Sequence, residues 1–564
     1  MEAPIIDELQ PDAARVRVEM EGSVAVVVID NPPVNAASTA VRRGLVDAVT
    51  SLARLQDVTA AVLIGAGRTF IAGSDIREFD KPLVEPQLPA VIAAIEACPK
   101  PVVAAIHGAA LGGGFEVALA CDARIAAADA VVGLPEVKLG MIPGAGGTQR
   151  LPRLIGVAGA VEMIGSGRRV PAGEALSIGL VDQIGDGDLR AAAVALAQTL
   201  TAKRPVSAME VARQDDAAIE EAAAAAARAN RGIGAVREAI AAVRMAATLP
   251  FAEALAKERE TFQRLRNGEE SRALRHLFFA ERRALRGPAG VATRPVEQAG
   301  VVGLGLMGSG IAAGFAVAGL EVLAVEEDET ALRRGMERTG EVIRSIGKRT
   351  RLSADRVDAA LARVHPVAGL AGLAAVDLVV EAVVEDFEVK KAVFGDLDRL
   401  LRSGAIVASN TSYLDIDAMA AATHRAADVA GLHFFSPPHV MRLVEVVRGA
   451  ATAPEVIATL VGLGRRLGKV PVVARASEGF IGNRILSAYR QQCDFLLEEG
   501  AYPEAIDAAL TGFGMAMGPY AVADLAGLDI AWRMRRRRAA TRDPGARYFP
   551  AADRLCEMGR FGRK

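Results

Sequence analysis

The sequence predicts a multi-domain α/β protein with helical regions in its middle and at its end. Its 564 residues exceed what one hydrophobic core holds, and at about 150 residues per domain they predict three or four domains. Between 16 and 185, short apolar runs such as VAVVVID, AAVLIGAG and PVVAAIHG alternate with helical segments, as repeated α/β units do. The segment VEQAGVVGLGLMGSGIAAGFAVAGLEVLAVEED reads as strand, glycine turn, helix and strand, which predicts a second α/β domain.

These patterns divide the chain into four predicted regions. An α/β region over 1–190 is followed by a helical region over 191–288. There, an Ala-rich stretch precedes a linker helix with charges of alternating sign. The second α/β domain covers 289–475, and a smaller all-α domain covers 476–564.

Composition and charge exclude several function classes. Hydrophobic residues make up 51% and charged residues 24%, which predicts buried cores. The 66 Lys and Arg residues nearly balance the 68 Asp and Glu residues, so we expect no nucleic-acid partner. The 4 cysteines lack metal-ligand spacing, so we expect no metal site and a reducing compartment. No apolar run reaches about 18 residues, so we expect no integral membrane segment and a cytoplasmic protein, with a peroxisomal location left open.

The stretch HGAALGGGFEVALACD places a carboxylate, Glu116, in an apolar run directly after three glycines. A buried carboxylate is costly unless it is paired or hydrogen-bonded, and an ion pair with Arg124 or Lys138 is the simplest explanation. The glycines favour a second one, because free N–H groups at a helix start near Gly113 can donate to developing negative charge. The turn FIAGSDI offers another donor, the Ser74 N–H. Together the two N–H groups predict an oxyanion hole, in which losing one donor costs about 3 kcal/mol.

A second carboxylate, Glu136, lies in the loop GLPEVKLGMIPGAGGTQRL. Two carboxylates at one small site predict general acid/base chemistry. In order and spacing, AGSDI, HGAALGGGFEVALACD and LPEVKLGMIPGAGGTQRLPRLIG resemble the enoyl-CoA hydratase/isomerase (crotonase) family. The resemblance implies a crotonase-like β-β-α spiral domain in which the N–H groups of Ser74 and Gly113 hold a thioester oxygen. It also implies that Glu116 and Glu136 handle a water and a proton at the double bond.

Two further expectations follow from that resemblance. The presence of both glutamates favours hydration, with enoyl-CoA isomerisation as a side activity. Gly144, in IPGAGG, matches a glycine that lines the same pocket, although an ordinary turn glycine explains it equally well.

A dinucleotide site is predicted where Gly303, Gly305 and Gly308 follow the strand QAGVV and open a helix. This is the context in which a Rossmann fold binds a pyrophosphate. Glu326 ends the next strand, EVLAVEED, where a carboxylate accepts hydrogen bonds from ribose hydroxyls and repels a 2′-phosphate. The sequence therefore predicts NAD as the cofactor in preference to NADP.

A histidine and a glutamate are predicted to face each other in GLHFFSPPHVMRLVEVV, where Glu445 could orient the His433 imidazole. Together with ASNTSYLDI upstream and SEGFIGNRI downstream, this segment resembles the 3-hydroxyacyl-CoA dehydrogenase family. The resemblance implies that His433 removes the 3-hydroxyl proton and that Glu445 stabilises the imidazolium. It also implies that Ser412 and Asn483 position the substrate while NAD acts as the oxidant.

Hydratase first and dehydrogenase second resembles the multifunctional enzymes of fatty-acid β-oxidation along almost the whole chain. The resemblance implies acyl-CoA thioester substrates, with trans-2-enoyl-CoA converted to 3-hydroxyacyl-CoA and then to 3-ketoacyl-CoA. A thiolase and self-association are the candidate partners. Two alternatives stay open, a hydratase/isomerase whose dehydrogenase half is impaired and a non-catalytic CoA-ester-binding subunit.

The resemblance departs at the end of the sequence, CEMGRFGRK. Members of the family continue from such a segment into a further α domain. The expectation is that this last domain is lacking here, which affects the stability and oligomeric state of the dehydrogenase half more than the hydratase half.

Overall fold

The structure, a computed structural model, describes residues 15–540 and 542–563. The chain divides into two compact units, the first ending at Phe278 and the second beginning at Phe279. Within the described ranges, no helix is long and apolar enough to cross a membrane.

The first unit combines strands and helices along its whole length. Its strands are β1 (Val16–Glu21), β2 (Val24–Ile29), β3 (Ala60–Gly65), β4 (Val102–Ile106), β5 (Ala109–Leu111), β6 (Ala123–Ala127), β7 (Val131–Gly133), β8 (Val170–Pro171) and β9 (Gln183–Gly185). Its helices are α1 (Thr39–Leu52), α2 (Leu88–Ala97), α3 (Gly113–Ala120), α4 (Gly147–Ser166), α5 (Ala172–Ser177), α6 (Leu189–Thr199), α7 (Asp216–Ala229), α8 (Gly234–Thr248), α9 (Phe251–Arg266) and α10 (Glu269–Ala284). The boundary between the units falls inside α10, and the finer division at 190, 288 and 475 stays a prediction.

The larger sheet of the first unit has the strand order β1-β2-β3-β4-β6-β9. Apart from the antiparallel β1–β2 pair, its pairings are parallel. Strands β2 and β4 are buried along their whole length, because a parallel sheet is covered on both faces. Helices begin at side-chain caps where the sequence offers them. The Ser38 hydroxyl accepts the Val41 N–H at the start of α1, and Asp188 caps α6.

A smaller sheet, β5-β7-β8, brings the two predicted carboxylates to one place. Strands β5 and β7 run in parallel with Leu111 opposite Gly133, so the two strands end side by side. Glu116 follows β5 in the first turn of α3, and Glu136 follows β7 in the short 3-10 helix Glu136–Leu139. Strand pairing thus joins segments that are distant in sequence.

The second unit begins with an α/β domain and ends in helices. Its strands are β10 (Gln298–Val302), β11 (Glu321–Val325), β12 (Val364–Pro366), β13 (Leu378–Glu381), β14 (Ile406–Ser409), β15 (Val429–Phe434), β16 (Leu443–Arg448) and β17 (Val470–Arg475). Its helices are α11 (Leu306–Val317), α12 (Glu329–Thr350), α13 (Ala354–Ala362), α14 (Phe387–Leu400), α15 (Ile416–Ala420), α16 (Pro454–Arg466), α17 (Gly482–Glu498), α18 (Pro503–Phe513), α19 (Pro519–Ala526), α20 (Asp529–Ala539) and α21 (Ala551–Glu557).

The sheet of this unit has the order β12-β11-β10-β13-β14-β15-β16-β17. Strand β10 lies between β11 and β13, so the chain order reverses there, and ligands bind at such a switch point in open α/β sheets. Farther along, β15 and β16 pair antiparallel with His433 directly opposite Glu445. Directly opposite residues of an antiparallel pair project from the same face, so the register alone places these side chains together.

Candidate active sites

The two backbone donors predicted for an oxyanion lie side by side in the first unit. A Cβ added at Gly113 would lie 3.7 Å from the Ser74 nitrogen, 2.5 Å from Ser74 Oγ and 2.6 Å from Leu88 Cδ2. Only glycine leaves this space free. Gly113 is the first residue of α3, where the main-chain N–H has no partner within the helix and can donate to a ligand.

The Glu116 carboxylate is buried and is held by the backbone of the glycine-rich loop. Its Oε1 accepts the N–H groups of Ala145 at 2.8 Å and Gly147 at 2.9 Å. The alternative explanation, an ion pair with Arg124 or Lys138, is therefore not what compensates this charge. Arg124 instead donates to Asp182 Oδ2 at 3.1 Å.

The carboxyl group of Glu136 has fewer neighbours that stabilise its negative charge than Glu116 has. A Cβ on Gly112 would lie 2.9 Å from Glu136 Oε1. Glu136 Oε2 is buried, and the residues that the structure describes offer it no hydrogen-bond partner. Burial, followed by the charge of Glu116, raises the pKa of Glu136 well above its usual range. Buried polar atoms are rarely left unpaired, so this oxygen is a candidate contact for a ligand.

Burial also raises the pKa of Glu116, but its neighbours oppose that rise. The Ala145 and Gly147 N–H groups and the charges of Arg150 and Arg259 all favour the ionised form. Glu136 lacks comparable support, so of the two carboxyls Glu136 holds its proton more tightly. A buried pair with different proton affinities suits one base and one acid.

A third carboxyl, Glu258 on α9, completes this cluster and was missed by the sequence analysis. It is fully buried, and its oxygens accept the N–H groups of Gly146 at 2.6 Å and Thr148 at 3.0 Å. The sequence carried one overlooked signal, because Glu258 occupies the position four residues after the buried Ala254 and four before Phe262, on the face of α9 that packs inward.

Gly144, predicted to line the pocket or simply to form a turn, lies against α9. A Cβ at this position would lie 2.3 Å from the Phe262 ring, so a larger residue does not fit. The Gly144 carbonyl accepts from Arg259 Nη1 at 3.3 Å. Close packing explains the glycine, and its place in a substrate pocket stays a prediction.

The predicted dinucleotide turn in the second unit has the geometry that NAD requires. Gly303 has φ +89°, a left-handed conformation that favours glycine. A Cβ on Gly308 would lie 1.8 Å from the Gly303 carbonyl oxygen, so helix and strand meet there. At Gly305, immediately before α11, a Cβ would meet no described atom within 4 Å, which leaves room for a pyrophosphate to approach the helix N-terminus. Glu326 accepts the Leu304 N–H within this turn.

His433 and Glu445 form a buried pair in the second unit. His433 Nδ1 lies 2.7 Å from Glu445 Oε2, and the other oxygen, Oε1, accepts the N–H groups of Ile481 and Gly482, each at 2.9 Å. Burial opposes ionisation of Glu445, but these hydrogen bonds outweigh it and lower its pKa. An ionised Glu445 accepts a hydrogen bond from the Nδ1–H group of His433, which fixes the tautomer in which Nε2 can act as a base.

Ser412 and Asn483 lie beside this pair, as predicted. Ser412 Oγ is 3.3 Å from His433 Nε2, and Asn483 Nδ2 donates to the Ser412 carbonyl at 3.4 Å. The sequence analysis missed Glu385, whose Oε1 accepts the Ser412 N–H at 2.9 Å, and the buried Lys390, whose Nζ lies 3.6 Å from Glu385. In the sequence, Glu385 and Lys390 look like the ordinary charged residues found at the start of a helix, here α14.

Three family models match successive stretches of the chain. The family model of enoyl-CoA hydratase/isomerase matches 19–255. The models of the NAD-binding domain and the C-terminal domain of 3-hydroxyacyl-CoA dehydrogenase match 298–477 and 479–564. The crotonase-like, Rossmann and helical C-terminal domains predicted from the sequence are thereby confirmed, and NAD is confirmed as the cofactor.

Relatives of known name match nearly the whole chain. The peroxisomal bifunctional enzyme of Danio rerio is 43% identical over 567 residues, which cover 96% of this chain and 78% of the relative. The human enzyme of the same name is 39% identical over 97% of this chain and 79% of its own length. The peroxisomal fatty acid beta-oxidation multifunctional protein of Arabidopsis thaliana is 34% identical over 98% of this chain and 80% of its own.

The hydratase and dehydrogenase functions predicted from the sequence are confirmed by these relatives and by the matching family models. The two alternatives, an impaired dehydrogenase half and a non-catalytic binding subunit, lack this support. The chain belongs to the family of bifunctional fatty-acid β-oxidation enzymes, in which an enoyl-CoA hydratase/isomerase region precedes an NAD-dependent 3-hydroxyacyl-CoA dehydrogenase region.

Proposed function

We propose that the hydratase and dehydrogenase activities of this chain are consecutive steps on one acyl-CoA thioester, each performed by the residues gathered in one unit. In the first step trans-2-enoyl-CoA gains water and becomes 3-hydroxyacyl-CoA. In the second, that product is oxidised to 3-ketoacyl-CoA. The observation that carries the first step is the pair formed by the buried Glu116 and the partly buried Glu136, beside the backbone donors of Ser74 and Gly113.

In the hydratase site, the Ser74 and Gly113 N–H groups take up the negative charge that develops on the thioester oxygen. Glu116, whose Oε1 is fixed by two N–H donors, accepts a proton from the water that attacks C3. Glu136, whose pKa is raised further, delivers its proton to C2. The C2–C3 π bond, one O–H bond of water and the O–H bond of Glu136 break as the C3–O and C2–H bonds form. The site returns to its starting state when the proton gained by Glu116 passes to Glu136.

In the dehydrogenase site, His433 Nε2 accepts the 3-hydroxyl proton. The Glu445 carboxylate, held ionised by its hydrogen bonds, stabilises the imidazolium that results. Ser412 and Asn483 orient the substrate oxygen, and the Gly303–Gly308 turn holds the cofactor. When bound, NAD supplies the acceptor for the electron pair that leaves C3.

Three further assignments belong to this proposal. Enoyl-CoA isomerisation is a side activity that fits the same pair of carboxyls. The names of the relatives support a peroxisomal location, which the sequence analysis left open beside a cytoplasmic one. A thiolase, which would consume the 3-ketoacyl product, and self-association remain the proposed partners.

The experiment that tests this function supplies crotonyl-CoA with and without NAD. We expect loss of enoyl absorbance in both cases and growth of NADH absorbance only with NAD. Hydration without NADH formation would contradict the dehydrogenase step, and the absence of both signals would contradict the whole proposal.

A further inference from the structure

We propose that Glu258 is a positioning residue of the hydratase site, which holds the backbone over 145–148 so that this backbone holds Glu116. The inference rests on the proposed function, because it acts through the proton-transfer role of Glu116. Glu258 comes from α9, in the segment that the sequence analysis assigned to the helical linker region.

The geometry is an alternation of two carboxylates along four consecutive N–H groups. Glu116 Oε1 accepts from Ala145 and Gly147, and Glu258 accepts from Gly146 and Thr148. The Thr148 hydroxyl adds a further donor to Glu258 Oε2 at 2.5 Å. Successive N–H groups of this loop bind to different carboxyl groups. Without Glu258 the Gly146 and Thr148 N–H groups lose their acceptor, so the loop can shift and move the two N–H donors of Glu116.

The loop is packed so closely that side chains do not fit at its two central glycines. Gly146 has φ +102°, and a Cβ there would lie 1.8 Å from Arg150 Nη1. A Cβ on Gly147 would lie 3.0 Å from Glu116 Oε1. The Ala145 carbonyl accepts from Arg150 Nη1 at 3.2 Å, which fixes one end of the loop but none of its four N–H groups.

Glu258 also acts on its neighbours through its charge. The charged groups around it are Glu116 from α3, Glu136 from the 3-10 helix, Arg259 from α9 and, across Gly146, Arg150 from α4. Burial and then the charge of Glu116 raise the pKa of Glu258 to about 8. Once ionised, Glu258 raises the pKa of Glu136 in turn. It therefore extends the pH range over which Glu136 keeps its proton.

The test compares Glu258→Gln with Glu260→Gln in the full chain. Glutamine keeps the volume and one acceptor oxygen, but it turns an amide group toward N–H donors that need an acceptor. Glu260 is exposed on the same helix and provides the matched control. Hydration of crotonyl-CoA is measured across pH, and NADH formation from 3-hydroxybutyryl-CoA reports the state of the second unit.

For Glu258→Gln we expect the hydratase kcat to fall about 10- to 100-fold, since small misplacements of a reacting group cost about that much. The KM for crotonyl-CoA should change less than about threefold, because Glu258 acts on Glu116 and not on ground-state binding. The alkaline limb of the pH profile should move to lower pH, a shift that a purely structural role would not produce. The dehydrogenase rate should stay unchanged, and Glu260→Gln should match wild type throughout.

A Glu258→Gln variant with wild-type kcat and an unmoved alkaline limb would overturn the inference. If this variant loses the dehydrogenase rate as well, Thr148→Val provides the test, because it removes one donor to Glu258 and keeps the charge. Thr148→Val should lower the hydratase kcat about 3- to 10-fold, as the loss of one hydrogen bond does, and an unchanged rate would equally overturn the inference.

Glu116→Gln, run beside these variants, separates the two levels of the proposal. An active Glu116→Gln would contradict the proposed function itself. An inactive Glu116→Gln together with a fully active Glu258→Gln would contradict the positioning role alone.

Discussion

The two candidate sites use the same residue type in opposite electrostatic settings. In the first unit, Glu116, Glu136 and Glu258 lie close together. Burial raises the pKa of each, and the charge of Glu116 adds to the rise for Glu136 and Glu258. In the second unit, Glu445 faces His433, and the hydrogen bonds to its carboxylate lower its pKa. Hydration needs a carboxyl that keeps a proton to give away, whereas oxidation of an alcohol needs a carboxylate that supports a positive imidazolium. The groups around each glutamate, more than the residue type, determine whether it acts as a proton donor or as an ionised partner.

The largest effect is expected for Glu136→Gln, which removes the proposed proton donor. Hydration of crotonyl-CoA should fall about 10³- to 10⁴-fold, near the upper end of acid/base contributions. NADH formation from 3-hydroxybutyryl-CoA should be unchanged, because Glu136 belongs to the first unit. If the variant keeps a tenth or more of the hydratase rate, Glu136 is not the proton donor.

The reciprocal change, His433→Gln, should lower the dehydrogenase rate about 10²- to 10³-fold and leave hydration intact. Glutamine cannot accept the 3-hydroxyl proton, while the glycine turn that holds the cofactor's pyrophosphate is untouched. Both rates are followed by absorbance on one preparation. An active dehydrogenase would show that the proton leaves by another route.

A smaller effect, about 10²-fold on the dehydrogenase kcat, is expected for Glu445→Gln. The amide can still accept from Ile481 and Gly482, but its NH₂ would face His433 Nδ1 and favour the tautomer that carries the proton on Nε2. Such an imidazole cannot act as the base. Measured across pH, the variant should be impaired at every pH, and recovery at high pH would indicate that Glu445 only tunes the histidine.

The smallest effect is expected for Gly305→Ala, which adds a methyl group to the space left for the pyrophosphate. The KM for NAD should rise about tenfold while hydration stays unchanged. Gly314→Ala is the matched control, because a Cβ there also meets no described atom within 4 Å and lies later on α11. Equal effects of both substitutions would show that helix α11 is perturbed and not the cofactor site.

The dehydrogenase site could be predicted from short sequence motifs, because each of its parts lies within one short segment. The turn around Gly303 follows a strand and opens a helix within a few residues, and the β15–β16 hairpin register places His433 opposite Glu445. Glu385 was missed because its contact to the Ser412 N–H depends on how β13 and β14 are joined in the sheet, and Lys390 was missed because it pairs with Glu385. The burial of a charged residue cannot be predicted from the sequence around it when the residues that contact it come from another strand.

The hydratase site shows the same limit more strongly. Glu116 and Glu136 stand out as charges among glycines, and both were predicted. Glu258 lies in a segment rich in charges of both signs, where burial of one carboxyl cannot be seen from sequence. An ion pair stayed open as an alternative for Glu116 for the same reason, since the loop that satisfies its carboxylate folds back from 145–147.

Each unit should perform one step without the residues of the other, and mixing two variants tests this independence. Glu136→Gln and His433→Gln are supplied with crotonyl-CoA and NAD, first separately and then together. Each variant alone should form NADH far more slowly than wild type, and the mixture should restore NADH formation as 3-hydroxyacyl-CoA passes from one variant to the other. A mixture no faster than either variant alone would contradict the claim that the two sites work as independent, consecutive catalysts.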